Sequence, residues 1–532
     1  MELDLRISAD VIHTMNPGRP SAHTVGIWHN RIVGVDEQIE GLSARREITH
    51  SGAILPGFID AHTHLQLTGQ TLKALDISGT DSVDEVIKLI ADYAAGLSTG
   101  TWVEISGYDQ RAFGRDLTAD DLDAAVGERK AWARHTSSHS SVISSAVIHD
   151  IKDPNLRQHA IDARGVLHEE EQVVVQQQRL PYPIGEVKGA VATAARLAAL
   201  DGVTMSIEAG AGGSIGSLNP LDLIGFQELI DEGRMPMRIQ MMPSHDALHS
   251  VTGGIDAFSR GLDLGLRTGI GSDMLSIGPM KFVLDGGMAV RTALLTEPYI
   301  GADSCGVLRE DLNVFRRNMI DAIAGGWTLA VHAIGDAALD IALDIFDESF
   351  RLTPDHVGGH RIEHGGLIRD DQIPRLAALG LTVVGQSGFL WVSGDDYAEQ
   401  LGQDRVSGLY RGQSLVDAGV PLVGSTDRPL PGSPLQGIRT SVERLTDQGT
   451  LLAPVERISV YDAVAGWTTA AAAAAGMGDR LGAIREGYLA DLVLLSADPH
   501  AVLVSEITDI SIVDTMVDGQ LISDADGLED RS

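Results

Sequence analysis

Apolar and polar residues change their spacing several times along this chain, and each change predicts a different kind of element. Up to about residue 57, short apolar segments alternate with turns: ADVIHTM, HTVGIWHNRIVGVD and REITHSGAI, with His29-Asn30-Arg31 at a turn. That is the pattern of hairpin-like antiparallel β-structure. The far end repeats it. From Leu481, GAIREGYLADLVLLSAD and ISIVDTMVDGQLI read as short strands with Gly at the turns. Neither piece has enough residues to bury a core alone. Residues 1–57 and 478–532 are therefore expected to join as one composite β-sandwich.

Between these ends, strand-like runs alternate with amphipathic helical ones such as IGFQELIDEG and LNVFRRNMIDAIAGG. The run Ile54 to Ile59 opens the series. VTMSIEAG, MRIQMMP, MKFVLDGG, LAVHAIGD, HRIEHGG, TVVGQSGF and PLVGSTD follow it. That makes eight strands, the number that closes a parallel barrel. The expected fold class is α/β, a (β/α)8 TIM barrel over residues 58–75 and 186–477. Residues 76–185 are too long for one crossover. They hold a helical pattern (SVDEVIKLIADYAAGL), strand-like WVEISGYD and AWARHTSS, and the Gln-rich EEEQVVVQQQRL. They are expected to form an inserted subdomain over the active-site mouth, because they leave from the C-terminal end of the first strand.

Composition narrows the partners. The 532 residues carry 74 acidic against 40 basic side chains, a formal charge of −34. Such a surface repels phosphate backbones and anionic membranes, which argues against nucleic-acid and membrane partners, although it also serves plain solubility. No stretch approaches the ~18 apolar residues that cross a bilayer. Cys305 is the only cysteine, so no intrachain disulfide forms and a reducing compartment is expected. The opening MELDLRISAD has no apolar h-region and reads as no signal peptide. A cytoplasmic protein is the expectation, with a homodimer as the base-rate oligomer.

The chemistry begins at Leu55-Pro56-Gly57-Phe58-Ile59-Asp60-Ala61-His62-Thr63-His64. Period-2 geometry puts both imidazoles on one side of an extended chain, and two ring nitrogens at the end of an interior strand are half a metal site. A bare His-x-His is as readily a pair of ordinary histidines. Further polar residues fall at later strand ends: Lys281, His332, His364 and Asp427. This order, two histidines after strand one, Lys after four, His after five and six, Asp after eight, resembles the amidohydrolase superfamily. KFVLDGG, VHAIGDAALDIAL, HRIEHGGLI, GSTDRPLPGSPL and GAIREGYLADLVLL are similar to its YtcJ-like branch, which includes N-substituted formamide deformylases.

The resemblance implies a divalent-metal site, with one or two ions per chain. His62 and His64 would hold one metal with Asp427, and His332 and His364 a second. Zinc suits a histidine and carboxylate site; iron, manganese and cobalt share these donors. Lys281 would add carbon dioxide and bridge the ions as a carbamate, since an ammonium cannot ligate; the plain alternative is an ion pair with Asp285 or Glu208. Asp427 would act as general base and then general acid on an amide attacked by metal-bound hydroxide. Its alternative is an acidic helix cap in GSTDRP. His139 matches a histidine that the family places near the substrate, where it would polarise the carbonyl, or it is a surface histidine. Asp336 would support His332 from behind or cap the helix that follows. Trp391 would stack on the substrate or simply pack.

The expected activity is hydrolysis of a carbon–nitrogen bond in a small amide, N-formyl or N-acyl. A deaminase on the same scaffold is disfavoured by Lys281. An esterase or lactonase uses the same attack. A non-catalytic ligand-binding barrel would have no reason to keep Asp427.

Overall fold

In the computed structural model, which describes residues 1–136, 140–213, 221–251 and 259–523, the strand Phe58–Thr63 is buried along its whole length. It reaches that depth because Gly57 precedes it: a Cβ there would stand 2.1 Å from Thr204 Cγ2. Gly57 N–H donates to Asp491 O at 2.9 Å and Phe58 N–H to Gly202 O at 3.0 Å, so both N–H donors at the entry are paired.

The chain forms two compact units. The first is drawn from Met1–His64, Ala195–Ser214 and Phe226–Ser532. Its interior holds two parallel sheets. One runs Leu275–Ile277, Arg238–Pro243, Val203–Ala211, Phe58–Thr63; the other runs Met280–Val283, Leu329–Ala333, Arg361–His364, Thr382–Gly385, Leu422–Gly424. Leu275–Ile277 ends the first sheet and the fourth apolar run, MKFVLDGG, opens the second, with Gly278-Pro279 between them. Proline has no N–H to donate, so the ladder breaks there. A parallel bridge, Ser244↔Lys281, joins the two sheets on one side. On the other, Asp427 N–H donates to His62 O at 2.9 Å and His64 N–H to Arg428 O at 3.0 Å.

Amphipathic helices cover these strands. Asp336–Leu352 buries Ala338, Leu339, Ala342, Leu343, Ile345 and Phe346, a stripe of 3.6-residue period. That stripe meets Phe282, Val331 and Ile362 in one core. Each large apolar side chain so buried contributes about 1.5–3 kcal/mol.

The two chain ends share one seven-stranded sheet: Gln520–Leu521, Ile512–Val517, Leu492–Leu495, Ser43–Pro56, Glu2–His13, Ser21–Trp28, Arg31–Val35. The expectation of antiparallel pairing among the first 57 residues needs correction at one place. Ser43–Pro56 runs parallel to Glu2–His13, with Leu3↔Ala44 and Ile7↔Ile48 in register. The alternation of side chains is the same for either direction, so only the intervening strands decide it. A buried ion pair ties this sheet to the interior strands: Arg238 Nε and Nη2 each meet an Asp491 oxygen at 2.8 Å.

The second unit is Leu65–Ala194 with Ile215–Gly225. Its five-stranded sheet runs Val166–His168, Ser140–Ile143, Ala131–His135, Val103–Tyr108, Leu75–Asp76. The helix Val83–Gly96 starts where Ser82 accepts from Glu85 N–H, as its pattern predicts. The unit is wider than residues 76–185 because helix Leu65–Lys73 belongs to it. A Cβ on Gly69 would lie 1.9 Å from Ala190 O, so this helix rests directly on Ile184–Leu200. No helix among the described residues is long and apolar enough to cross a membrane.

Candidate metal centre

His62 and His64 project together from the end of Phe58–Thr63, with ring centroids 5.5 Å apart. His364, at the end of Arg361–His364, brings its ring to 5.0 Å from that of His62 and 4.4 Å from that of His332. Asp427 follows the strand Leu422–Gly424 with a left-handed backbone, φ 55°. Asp60 holds that turn in place: its carboxylate accepts from Thr426 N–H at 3.0 Å and Thr426 Oγ1 at 2.5 Å. One Asp427 oxygen then lies 3.2 Å from His64 Nε2 and 3.7 Å from His62 Nε2. Donor atoms of His62, His364 and Asp427 all fall within 4.8 Å of one another.

Hydrogen bonds behind the rings set which nitrogen carries the proton. His62 Nδ1 donates to Glu363 Oε2, and His64 Nδ1 donates to Ala209 O at 2.9 Å. His364 Nδ1 donates to Gln386 Oε1 at 2.8 Å, while the Gln386 amide nitrogen donates to Ser425 Oγ at 2.8 Å and so fixes the amide's orientation. These three rings therefore keep Nε2 as a bare lone pair. His332 is reversed: its Nε2 faces Gly286 O at 3.2 Å and Asp285 Oδ1 at 3.4 Å, leaving Nδ1 free to ligate.

Electrostatics agree with a ligand set. Burial, then the Lys281 charge, holds His62 well below its ordinary range. Burial with Lys281 takes His332 down to about 3, and burial with His332 takes His364 to about 3. All three rings are neutral at neutral pH. Burial alone would raise Asp427; what pulls it down is positive charge at the His62 ring, a hydrogen bond from His64 and charge at His364, so an ionised Asp427 needs a cation or ring protons beside it. Neutral imidazoles facing one carboxylate are the donors that a divalent ion such as zinc takes.

Lys281 Nζ stands 3.2 Å from His62 Nε2 and is 1% exposed. Burial lowers its ammonium to about 8, against the opposing pull of Glu363 and Asp427. Asp285, one expected ion-pair partner, is occupied elsewhere. It accepts from Leu294, Ile334 and Gly335 N–H groups at 2.9–3.1 Å.

Other expected residues fall differently. Asp336 does not support His332: it accepts from Thr296 N–H at 2.9 Å and Arg369 Nη1 at 3.0 Å, and Gly335 is the residue at the helix cap. The carboxylate facing His332 is Asp285, because the chain after Met280–Val283 continues alongside the strand that carries His332, with Leu284 N–H donating to His332 O at 3.2 Å. Trp391 packs its ring on the Arg439 guanidinium, 5.2 Å from the centroid. His139 lies outside the described residues. Glu363, Gln386 and Asp60 were not singled out from sequence. The spacing Arg361-x-Glu363, two charges on the same face of an interior strand, was the available signal for the first.

Comparison with known proteins agrees with this geometry. A model of the amidohydrolase family matches residues 51–523. The candidate amidohydrolase YtcJ of Bacillus subtilis (strain 168) is 26% identical over 511 residues, covering 91% of this chain and 91% of the relative. N-substituted formamide deformylase of Arthrobacter pascens is 24% identical over 555 residues, covering 97% of this chain and 98% of the relative. A crystal structure of an uncharacterized metal-dependent hydrolase from Pyrococcus horikoshii OT3 shares the fold, with a TM-score of 0.76 at 23% identity over 94% of this chain and 99% of that one. With the family's model spanning most of its length, the chain belongs to the amidohydrolase family and is a metal-dependent hydrolase of that type.

Proposed function

We propose that this chain hydrolyses the carbon–nitrogen bond of a small amide, N-formyl or N-acyl, on a closed (β/α)8 barrel formed by its two parallel sheets. The convergence of His62, His364 and Asp427 donor atoms within 4.8 Å carries the reading. The similarity to a formamide deformylase supports the choice of bond. His62, His64 and Asp427 are assigned to one divalent ion and His332 and His364 to a second, with zinc as the first choice. Such an ion supplies Lewis acidity, lowering the pKa of a water from about 15.7 towards about 7 and polarising a carbonyl.

The protein's own groups do the rest. The neutral form of the buried Lys281 amine would add to carbon dioxide and release a proton, giving a carbamate whose oxygens could serve as metal ligands. Asp427, ionised and facing the imidazoles, accepts the proton of the attacking water. It returns that proton to the leaving nitrogen as the C–N bond breaks. Glu363 keeps the His62 ring turned with its lone pair towards Asp427.

Chelation should abolish hydrolysis of formanilide and added zinc should restore it, with the circular dichroism spectrum preserved throughout. Undiminished turnover after complete metal removal would contradict the reading.

A further inference from the structure

The loop carrying Leu409 and Tyr410 is held more firmly than a surface connection needs. Leu409 bridges Leu367 in antiparallel register, and Tyr410 N–H donates to Gly366 O at 3.0 Å. From behind, the buried Arg444 donates to Tyr410 O at 2.7 Å, Leu409 O at 2.8 Å and Leu452 O at 3.1 Å. These contacts fix Tyr410 at φ 39°, a left-handed backbone that an aromatic residue rarely adopts. Strain of this kind persists where surrounding bonds over-determine it, and it gathers at working sites.

The strained backbone places the phenol beside the candidate centre. The Tyr410 hydroxyl lies 3.6 Å from where a Cβ on Gly366 would be, two residues beyond His364. The ring sits in an apolar wall with Ile334, Leu367, Phe389 and Tyr397, all from segments that follow interior strands. Its centroid is 6.1 Å from Phe389 and 6.5 Å from Tyr397.

Neighbouring tyrosines of this wall have partners: Tyr299 donates to Ala293 O at 2.8 Å, and Tyr397 has the Ser393 hydroxyl beside it. Among the described residues the Tyr410 hydroxyl has none, although the residue is only 6% exposed. The oxygen is not among the fully enclosed unpaired atoms, so it opens onto space from which a ligand can reach it. Burial, with Tyr397 and the carboxylates of Asp427 and Asp285, pushes its phenol well above 10, so the group keeps its proton and can only donate or accept neutrally.

The geometry points to Tyr410 as a substrate-contacting residue, its hydroxyl donating a hydrogen bond to the acyl oxygen of the bound substrate. The identity of that oxygen rests on the hydrolase reading above; the presence of a donor there does not. A donor fixed before substrate arrives stabilises negative charge that develops on the oxygen without reorganising first.

Tyr410→Phe removes the hydroxyl and keeps the ring. Calorimetric titration of the zinc-loaded chain with formate, the simplest acyl-oxygen probe, should show at least ~10-fold weaker binding in the variant. Zinc content and unfolding midpoint should be unchanged. With formanilide, kcat should fall about 10- to 100-fold with KM little altered. Equal formate affinity in both proteins overturns the proposal, and so does absence of formate binding to the wild type. A second measurement does not depend on the Tyr410→Phe variant folding. In Tyr397→Phe carrying 13Cζ-labelled tyrosine, formate should still shift one tyrosine resonance, and no shift counts against Tyr410. If the zinc-loaded wild type hydrolyses no amide, ester or lactone, the hydrolase reading falls while the formate comparison still decides the role of Tyr410.

Discussion

Glu363→Gln removes one negative charge at a point where three groups meet. The carboxylate accepts from His62 Nδ1, from Arg361 Nε at 2.5 Å and from Arg361 Nη2 at 2.9 Å. It is 0% exposed, so water cannot take its place. Removing one member of a buried ion pair costs about 3–5 kcal/mol, because the other charge is left without compensation. The amide still offers one oxygen to one of its donors, which puts the metal-free chain near the lower end, about 3 kcal/mol. The same change loosens the His62 ring, and loss of such a supporting acceptor weakens metal binding about 10- to 100-fold. Urea unfolding in excess chelator, followed by circular dichroism, gives the first quantity. Competition for zinc against a chromophoric chelator gives the second. A variant with wild-type zinc affinity would refute the claim that Glu363 holds His62 for ligation, even if its stability fell.

Asp491→Asn should destabilise the chain by about 3 kcal/mol, the lower end for a broken buried pair, since Arg238 is 0% exposed and loses its bidentate partner but keeps Asp518 at 2.9 Å. An unfolding midpoint equal to wild type would show that the pair is not what joins the terminal sheet to the interior strands. His360 supplies a pH test away from the metal centre. Its Nδ1 accepts from Leu329 N–H at 3.1 Å and its Nε2 donates to His356 O at 2.9 Å, an arrangement open only to the neutral ring. Burial pushes it down to about 4 from an ordinary 6.5. The unfolded chain therefore takes up the proton first as pH falls. Stability from this group is fully present above pH 6.5 and is lost on the way down to about 4, a change of about 3 kcal/mol. His360→Gln should lessen the slope of the unfolding free energy across that window, to which His62, His332 and His364 also contribute; an unchanged slope would assign the pH dependence to those other groups.

The parts of the centre that could be read from sequence are those set by local geometry. His62 and His64 share a face because a strand alternates with period 2. The pattern puts Asp427 at a strand end stopped by Arg428-Pro429, but the strand ends at Gly424 and Asp427 sits on a left-handed turn that Asp60 holds. The groups behind the rings could not be read that way. Glu363 reaches His62 across 301 residues of chain, and no spacing rule connects them. Asp336 misled for a related reason. It lies four residues beyond His332 and starts a helix, yet that helix turns its carboxylate towards Arg369 and Thr296. Asp285 was seen as a carboxylate near Lys281, but whether it faced the lysine or backbone N–H groups depended on where the neighbouring strand ends, which alternation cannot anticipate. The parallel course of Ser43–Pro56 beside Glu2–His13 was hidden because both directions present the same alternation. The edge of the second unit was hidden by Gly69, whose missing side chain, not a break in pattern, lets two helices meet.

Anomalous scattering from a crystal of the zinc-loaded chain, recorded at the zinc edge, tests the central claim most directly. The account predicts a peak about 2.0–2.2 Å from the ring nitrogen of His62 and an oxygen of Asp427, with any second ion against His332 and His364. A map with zinc only at surface sites, and with these side chains packed against one another as they stand, would contradict it.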